Sequence, residues 1–128
     1  MAMANTGSIA REFDAVREQW SPRVIADLNG QSVKVAKIEG ELVWHAHADE
    51  DEMFLVWEGA VTIRYRDRQD IRLEKGDFHV VPRGVEHNPL AEAECWVLLF
   101  EPSATLHTGD VVSERTRSLA QQRAHLSA

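Results

Sequence analysis

The sequence predicts an all-β protein, an antiparallel sandwich or small barrel, with an amphipathic helix before it and a short helical segment after it. Two observations carry this. Between residues 33 and 102 apolar positions recur with a period of two, and turn residues interrupt them about every 8–12 positions, as short antiparallel strands require. Ahead of that stretch the period is helical, with Ile9, Phe13, Val16 and Trp20 on one stripe.

Residues 1–7 are small and polar and are expected to fray. Ser8 is an N-cap candidate, charged residues such as Arg11, Glu12 and Asp14 fill the polar face, and Ser21-Pro22 is a stop. A helix is therefore expected over 8–20. Its apolar stripe must cover an outer sheet face or an edge. Strands are expected over 33–38, 42–47, 52–57, 60–66, 70–73, 78–81, 85–90 and 94–101. The turns between them hold Glu39-Gly40, the acidic stretch 48–51, Glu58-Gly59, Asp67-Arg68-Gln69, Lys75-Gly76-Asp77, Arg83-Gly84 and residues 91–93. After Pro102 the pattern loosens, and 113–126 is expected to be a tail or short helix. No repeat or linker divides the chain. Residues 1–128 are expected to form one domain, with the barrel over about 33–102.

Composition narrows the partners. The chain has 128 residues, with 14 Lys+Arg against 21 Asp+Glu and a net charge of −7. A nucleic-acid backbone or an anionic membrane surface needs clustered positive charge, so neither is expected. A single cysteine, Cys95, excludes a disulfide framework and a paired-cysteine zinc site, and fits a reducing cytoplasm. Cys95 is in phase with Val97 and Leu99 and reads as a small buried hydrophobe. No apolar run approaches the roughly 18 residues of a membrane span. The first residues lack the basic-then-apolar pattern of a secretory signal. The expectation is a cytoplasmic protein.

Six histidines are the unusual feature of this acidic chain. His45 and His47 lie two apart in an extended segment, so both rings project from one face. Glu52 lies across the acidic turn and can enter the same space, with Asp51 as its competitor. His87 follows Pro82-Arg83-Gly84, a rigid turn that can aim its ring at a neighbouring strand. Three neutral imidazoles and one carboxylate, with positions left for water, suit a divalent transition metal. Phe54 and Val56 share the parity of Glu52, and Val43 that of the histidines, giving an apolar wall.

Two residues are candidates for catalysis. Lys37, in phase with Val33 and Val35, is either an inward cation able to anchor a carboxylate or phosphate, or a surface residue. His79 is in phase with Val81 rather than with Phe78 and Val80. The sequence leaves open which set faces the cavity and whether His79 acts as a base. Arg64 and Arg66 alternate with Val61, Ile63 and Tyr65 and are expected outside. His107 and His125 are expected beyond the barrel and in solvent. Trp44, Trp57 and Trp96 are expected in core packing, against the first helix or at a dimer contact.

The run Gly40-Glu-Leu-Val-Trp-His45-Ala-His47, then Glu52 and Gly59, resembles the first motif of the cupin superfamily. Gly76, then Pro82-Arg-Gly84-Val-Glu-His87, resembles the second. The likeness spans about residues 33–101. The runs Phe100-Glu101-Pro102 and Thr108-Gly109 are also similar to small single-domain cupins, and to the mannose-6-phosphate isomerase-like group in particular. This chain departs from the pattern in the spacing of Gly40 from His45, which is one residue short, and in Ala91, where an asparagine often stands. The resemblance implies a conical cupin-type barrel or jelly roll, with His45, His47, Glu52 and His87 as ligands of one metal per chain, Fe, Mn, Ni or Zn.

Two functions follow as expectations. One is a metal-dependent enzyme acting on a small organic molecule, isomerase-like or dioxygenase-like. The other is a non-catalytic, metal-supported barrel for small-ligand binding or sensing, since a fold does not fix a function. In either case the expected partners are a small molecule and a second copy in a homodimer.

Overall fold

Seven strands, flanked by short helices, follow α1 (Ile9–Asp14): β1 (Arg23–Leu28), β2 (Gln31–Glu41), β3 (Glu52–Glu58), β4 (Ala60–Tyr65), β5 (Ile71–Glu74), β6 (Phe78–Val81) and β7 (His87–Pro102). Helix α2 (Leu119–Arg123) then runs into a 3₁₀ turn over Ala124–Ser127. The computed structural model describes residues 5–109 and 111–127. Strand order is β1-β2-β7-β3-β6, and β4 pairs with both β5 and β7.

Strand β7 closes the barrel. Its first part pairs antiparallel with β4, setting Tyr65 opposite His87, and its second part pairs with β3, setting Phe54 opposite Leu99. From Leu90 to Pro102, β7 also runs antiparallel to β2. The β2–β7 register shifts between Ile38 and Gly40, where Glu92, Ala93 and Glu94 are exposed. This corrects the turn expected at 91–93: the extra residues are absorbed in a bulge within one strand. Gly59 packs on that bulge, where a Cβ would stand 2.9 Å from the Glu94 carbonyl oxygen.

The N-terminal region differs from expectation in two ways. Strand β1 was not foreseen, although Asn29-Gly30 signals its hairpin; both residues have positive φ, +50° and +77°, as a two-residue turn requires. The first helix ends at Asp14 rather than near residue 20. A longer helix would direct the Trp20 amide to the Val16 carbonyl. Instead that amide donates to the Lys37 carbonyl (2.9 Å), and Lys37 Nζ donates to the Val16 carbonyl (3.4 Å). Part of the expected frayed tail, residues 1–4, lies outside the described residues. Asn5 is tied to the backbone of Asp27 by two hydrogen bonds.

Segment 42–47 is also not a laddered strand; His45 and His87 form an isolated bridge. The C-terminal helix is shorter than expected and starts at a capping box between Ser118 and Gln121.

Apolar burial falls in two places. Inside the barrel, Ile38, Phe54, Val56, Val61, Ile63 and Val97 pack together, with Trp20 among them. Outside it, Phe13, Val16, Val35 and Leu98 form a second cluster, and Phe13 stacks on Trp57 and Trp96 at 6.1 and 5.2 Å between centroids. Helix α1 therefore covers an outer sheet face, as its stripe implied, while Trp20 turns inward. Cys95 is fully buried, and burial pushes its thiol up to about 12. No helix among the described residues is long and apolar enough to cross a membrane.

Candidate metal centre

Three chain segments meet at one end of the barrel interior. Segment 42–47 is bound to the start of β7 by the reciprocal pair His45 N–H to His87 O (3.0 Å) and His87 N–H to His45 O (2.9 Å). The turn before β7 is tied to the same segment, because the Gly84 amide donates to the His47 carbonyl (2.7 Å). Glu52 opens β3 opposite Val81. The alternation expected for residues 45 and 47 survives without a ladder, and both rings are buried.

One donor atom from each of His45, His47, Glu52 and His87 lies within 4.8 Å of the others, and all four residues are buried. The hydrogen bonds behind the rings fix which nitrogen faces inward. His45 Nδ1 contacts the Val43 carbonyl at 2.8 Å, and His87 Nδ1 contacts the Val85 carbonyl at 3.0 Å. A carbonyl only accepts, so each Nδ1 carries the proton and each Nε2 presents a lone pair. Both Nε2 atoms, and both nitrogens of His47, are buried without a hydrogen-bond partner among the described residues. Glu52 Oε1 lies 3.4 Å from His47 Nε2 and 3.6 Å from His87 Nε2, long for hydrogen bonds. Convergent lone pairs around a buried carboxylate fit a transition metal better than they fit a hydrogen-bonded core.

The electrostatics agree. Burial alone would raise Glu52, but the imidazoles of His47 and His87 and the neighbouring Glu101 outweigh it and hold the carboxyl well below its usual range. Burial lowers His45 to about 4, with the neighbouring His87 adding to the effect. Burial also acts against His47, yet the Glu52 carboxylate leaves it raised. Asp51, the competitor, is exposed and accepts from the Arg83 amide at 2.9 Å, so Glu52 is the acid in the cluster.

Behind Glu52 stands a buried pair that the sequence reading passed over. Lys34 Nζ lies 3.1 Å from Glu101 Oε1 and donates to the Thr105 carbonyl at 3.2 Å. Burial first, and the Glu52 charge second, raise Glu101 well above the carboxylate range. Glu52 is thus the ionised member of the two carboxyls, and Glu101 holds the proton.

Lys37 is not an inward cation. Its Nζ sits 4.5 Å above the Trp96 ring, on the outer face with Val16. Both faces of β2 carry apolar residues, and the face of Val33 and Val35 is the one covered by α1. His79 does share the inner face with Val81, is half-buried, and lies 2.7 Å from the Tyr65 hydroxyl through Nε2. The Tyr65 ring in turn is 6.4 Å from that of His87, so His79 adjoins the cluster through Tyr65. Burial raises the Tyr65 hydroxyl to about 12 and lowers His79. Arg64 and Arg66 lie over Trp44 on the outside, as their phase implied.

Two histidines depart from expectation. His125 is half-buried, with Nε2 2.6 Å from the Val24 carbonyl. His107 is buried, with Nε2 2.7 Å from the Arg115 carbonyl. The segment after β7 folds back over the barrel end, where a Cβ at Gly109 would stand 2.2 Å from the Ala46 carbonyl oxygen. With His45, Glu52, Trp20, Ile38, Phe54 and Leu99, His107 lines an internal cavity of about 30 Å³ beside the cluster.

An antiparallel barrel enclosing three histidines and a glutamate defines the class of protein. Residues 31–101 match the family model for the cupin domain, and the chain belongs to the cupin family. It is 35% identical over 85 residues to the uncharacterized protein YdbB of Bacillus subtilis, covering 66% of this chain and 73% of that one. Among solved structures, a cupin-2 domain containing protein from Shewanella frigidimarina is 46% identical with a TM-score of 0.73, covering 77% of this chain and 95% of the other. A protein from Neisseria meningitidis is 28% identical with a TM-score of 0.70, covering 76% and 98%.

Proposed function

We propose that this cupin binds one divalent transition metal, Fe, Mn, Ni or Zn, through His45, His47, Glu52 and His87. We propose further that it is a metal-dependent enzyme acting on a small uncharged molecule, with dioxygenase-like chemistry favoured over isomerase-like chemistry. The observation that carries this reading is the set of unpartnered Nε2 lone pairs around an ionised carboxylate, beside an apolar cavity. A bound metal supplies Lewis acidity or redox chemistry. The chain supplies orientation: the Val43 and Val85 carbonyls set two rings, and Lys34 with Glu101 backs Glu52. Phe54 and Leu99 make that side of the cavity wall apolar.

Isomerisation of a hexose phosphate, the chemistry suggested by the mannose-6-phosphate isomerase-like resemblance, needs cations facing the ligand. Lys37 lies outside, and Lys34 is engaged by Glu101. A neutral substrate suits this cavity better. Elemental analysis of the purified protein tests the centre: about one metal per chain is expected, and Glu52→Gln should lose most of it. A metal-free wild type that refuses added Fe, Mn, Ni and Zn would refute it. Oxygen uptake with flavonols and diketones, set against turnover of hexose phosphates, then separates the two chemistries. A second reading is a non-catalytic binding barrel; tight metabolite binding without turnover on either panel would support that reading instead.

A further inference from the structure

A fourth imidazole lines the cavity of the proposed metal centre. His107 is only 5% exposed and stands on the segment after β7, outside the cluster of four. Its Nε2 must donate to the Arg115 carbonyl, 2.7 Å away, because a carbonyl cannot donate. The proton therefore sits on Nε2, and Nδ1 is an acceptor only. Nδ1 is buried and has no partner among the described residues. A buried acceptor left unpaired is costly, so a donor is required.

The cavity walls do not provide one. Ile38, Phe54 and Leu99 are apolar, and the indole N–H of Trp20, the donor nearest in kind, is spent on the Glu39 carbonyl at 2.8 Å. No group among the described residues bonds to Nδ1, and there is room for a donor in the cavity that His107 lines. Its volume of about 30 Å³ admits one or two waters, each needing roughly 10–15 Å³ of space for its centre. His107 is also held rigidly against the His45–His47 segment, since Gly109, two residues on, meets the Ala46 carbonyl so closely that no side chain fits.

We propose that His107 Nδ1 accepts a hydrogen bond from a water, or from the hydroxyl of a small neutral ligand, held between it and the His45–Glu52 side of the metal centre. His107 is then a ligand-holding residue of the site, additional to the four metal ligands. This rests on the metal reading above, and the test separates the two. His107→Gln keeps a donor for the Arg115 carbonyl and removes the acceptor, whereas His107→Asn places an oxygen where Nδ1 stands. Each variant and the wild type are loaded with Mn(II), and exchange of the nearby water is read from solvent oxygen-17 relaxation. His107→Gln should speed exchange roughly tenfold, the factor one ordinary hydrogen bond carries, while His107→Asn should stay within about threefold of wild type.

Exchange in His107→Gln at the wild-type rate, with Mn(II) bound, overturns the role of His107 and leaves the metal centre standing. A wild type that takes up neither Mn(II) nor added Fe, Ni or Zn overturns both. Should His107→Gln fail to fold, the nitrogen-15 shift of His107 Nδ1 in zinc-loaded wild type decides. A hydrogen-bonded position supports the proposal, and the position of a free, unprotonated nitrogen overturns it.

Discussion

Val43 and Val85 stand in the same relation to their histidines, two residues upstream, and each turns a carbonyl onto an Nδ1–H. That contact makes the two Nε2 atoms lone pairs, while burial makes His45 hard to protonate in the folded chain. Burial, with the neighbouring His87 second, lowers His45 from 6.5 to about 4. The unfolded chain then binds the proton first. The contribution of His45 to stability is whole above 6.5 and is lost as pH falls towards 4. That drop from 6.5 to about 4 corresponds to about 3 kcal/mol. His47, raised by Glu52, works in the opposite sense, so the informative quantity is a difference between proteins. In chelator-stripped protein, urea stability should fall more steeply from pH 6.5 to 4 in wild type than in His45→Asn. Parallel curves would contradict the buried neutral ring.

Trp20 shows how one element can take a fate its local pattern does not display. Its spacing puts it on the stripe of α1, yet it enters the barrel interior with a left-handed φ of +57°, its indole held by the Glu39 carbonyl. Trp20→Ala is expected to cost about 3–5 kcal/mol, the usual range for an emptied aromatic site. It should also enlarge the space beside the metal centre, so that the barrel binds a benzene-sized ligand more tightly than wild type does. Urea titration and ligand-induced shifts check the two effects, and a variant as stable and as closed as wild type would remove Trp20 from that role. The contrast marks what was legible. The spacing of His45, His47, Glu52 and His87 told which side chains meet, because alternation is a local property of extended chain. Strands β3, β4 and β6 followed from the same property. The inner face of β2 did not, since both of its faces are apolar, and so the spacing leaves Lys37 open between inside and outside and gives no sign of the buried Lys34. The end of α1 and the burial of His107 depend on hydrogen bonds to distant backbone, Lys37 and Arg115, that no local spacing encodes. The Asn29-Gly30 turn was readable and was missed.

At the scale of the whole molecule, the four donor residues come from segments whose mutual placement is the fold itself: the 42–47 segment, the start of β3 and the start of β7. The two apolar clusters, one inside the barrel beside the metal centre and one beneath α1, are built from other residues than the four donors, so the metal-free chain should keep its fold. A ligand that binds only the folded state then adds stability by mass action. At a free metal concentration one hundred times Kd the gain is about 2.7 kcal/mol. For a chain of this size each kcal/mol moves Tm by about 3–5 °C, so loading should raise Tm by about 10 °C. His87→Ala should melt cooperatively but show no such rise, because it removes one donor from the cluster while leaving both apolar clusters in place. A wild-type Tm indifferent to Fe, Mn, Ni and Zn would mean that the convergent lone pairs hold no metal. An equal rise in His87→Ala would place the bound metal somewhere other than the barrel interior.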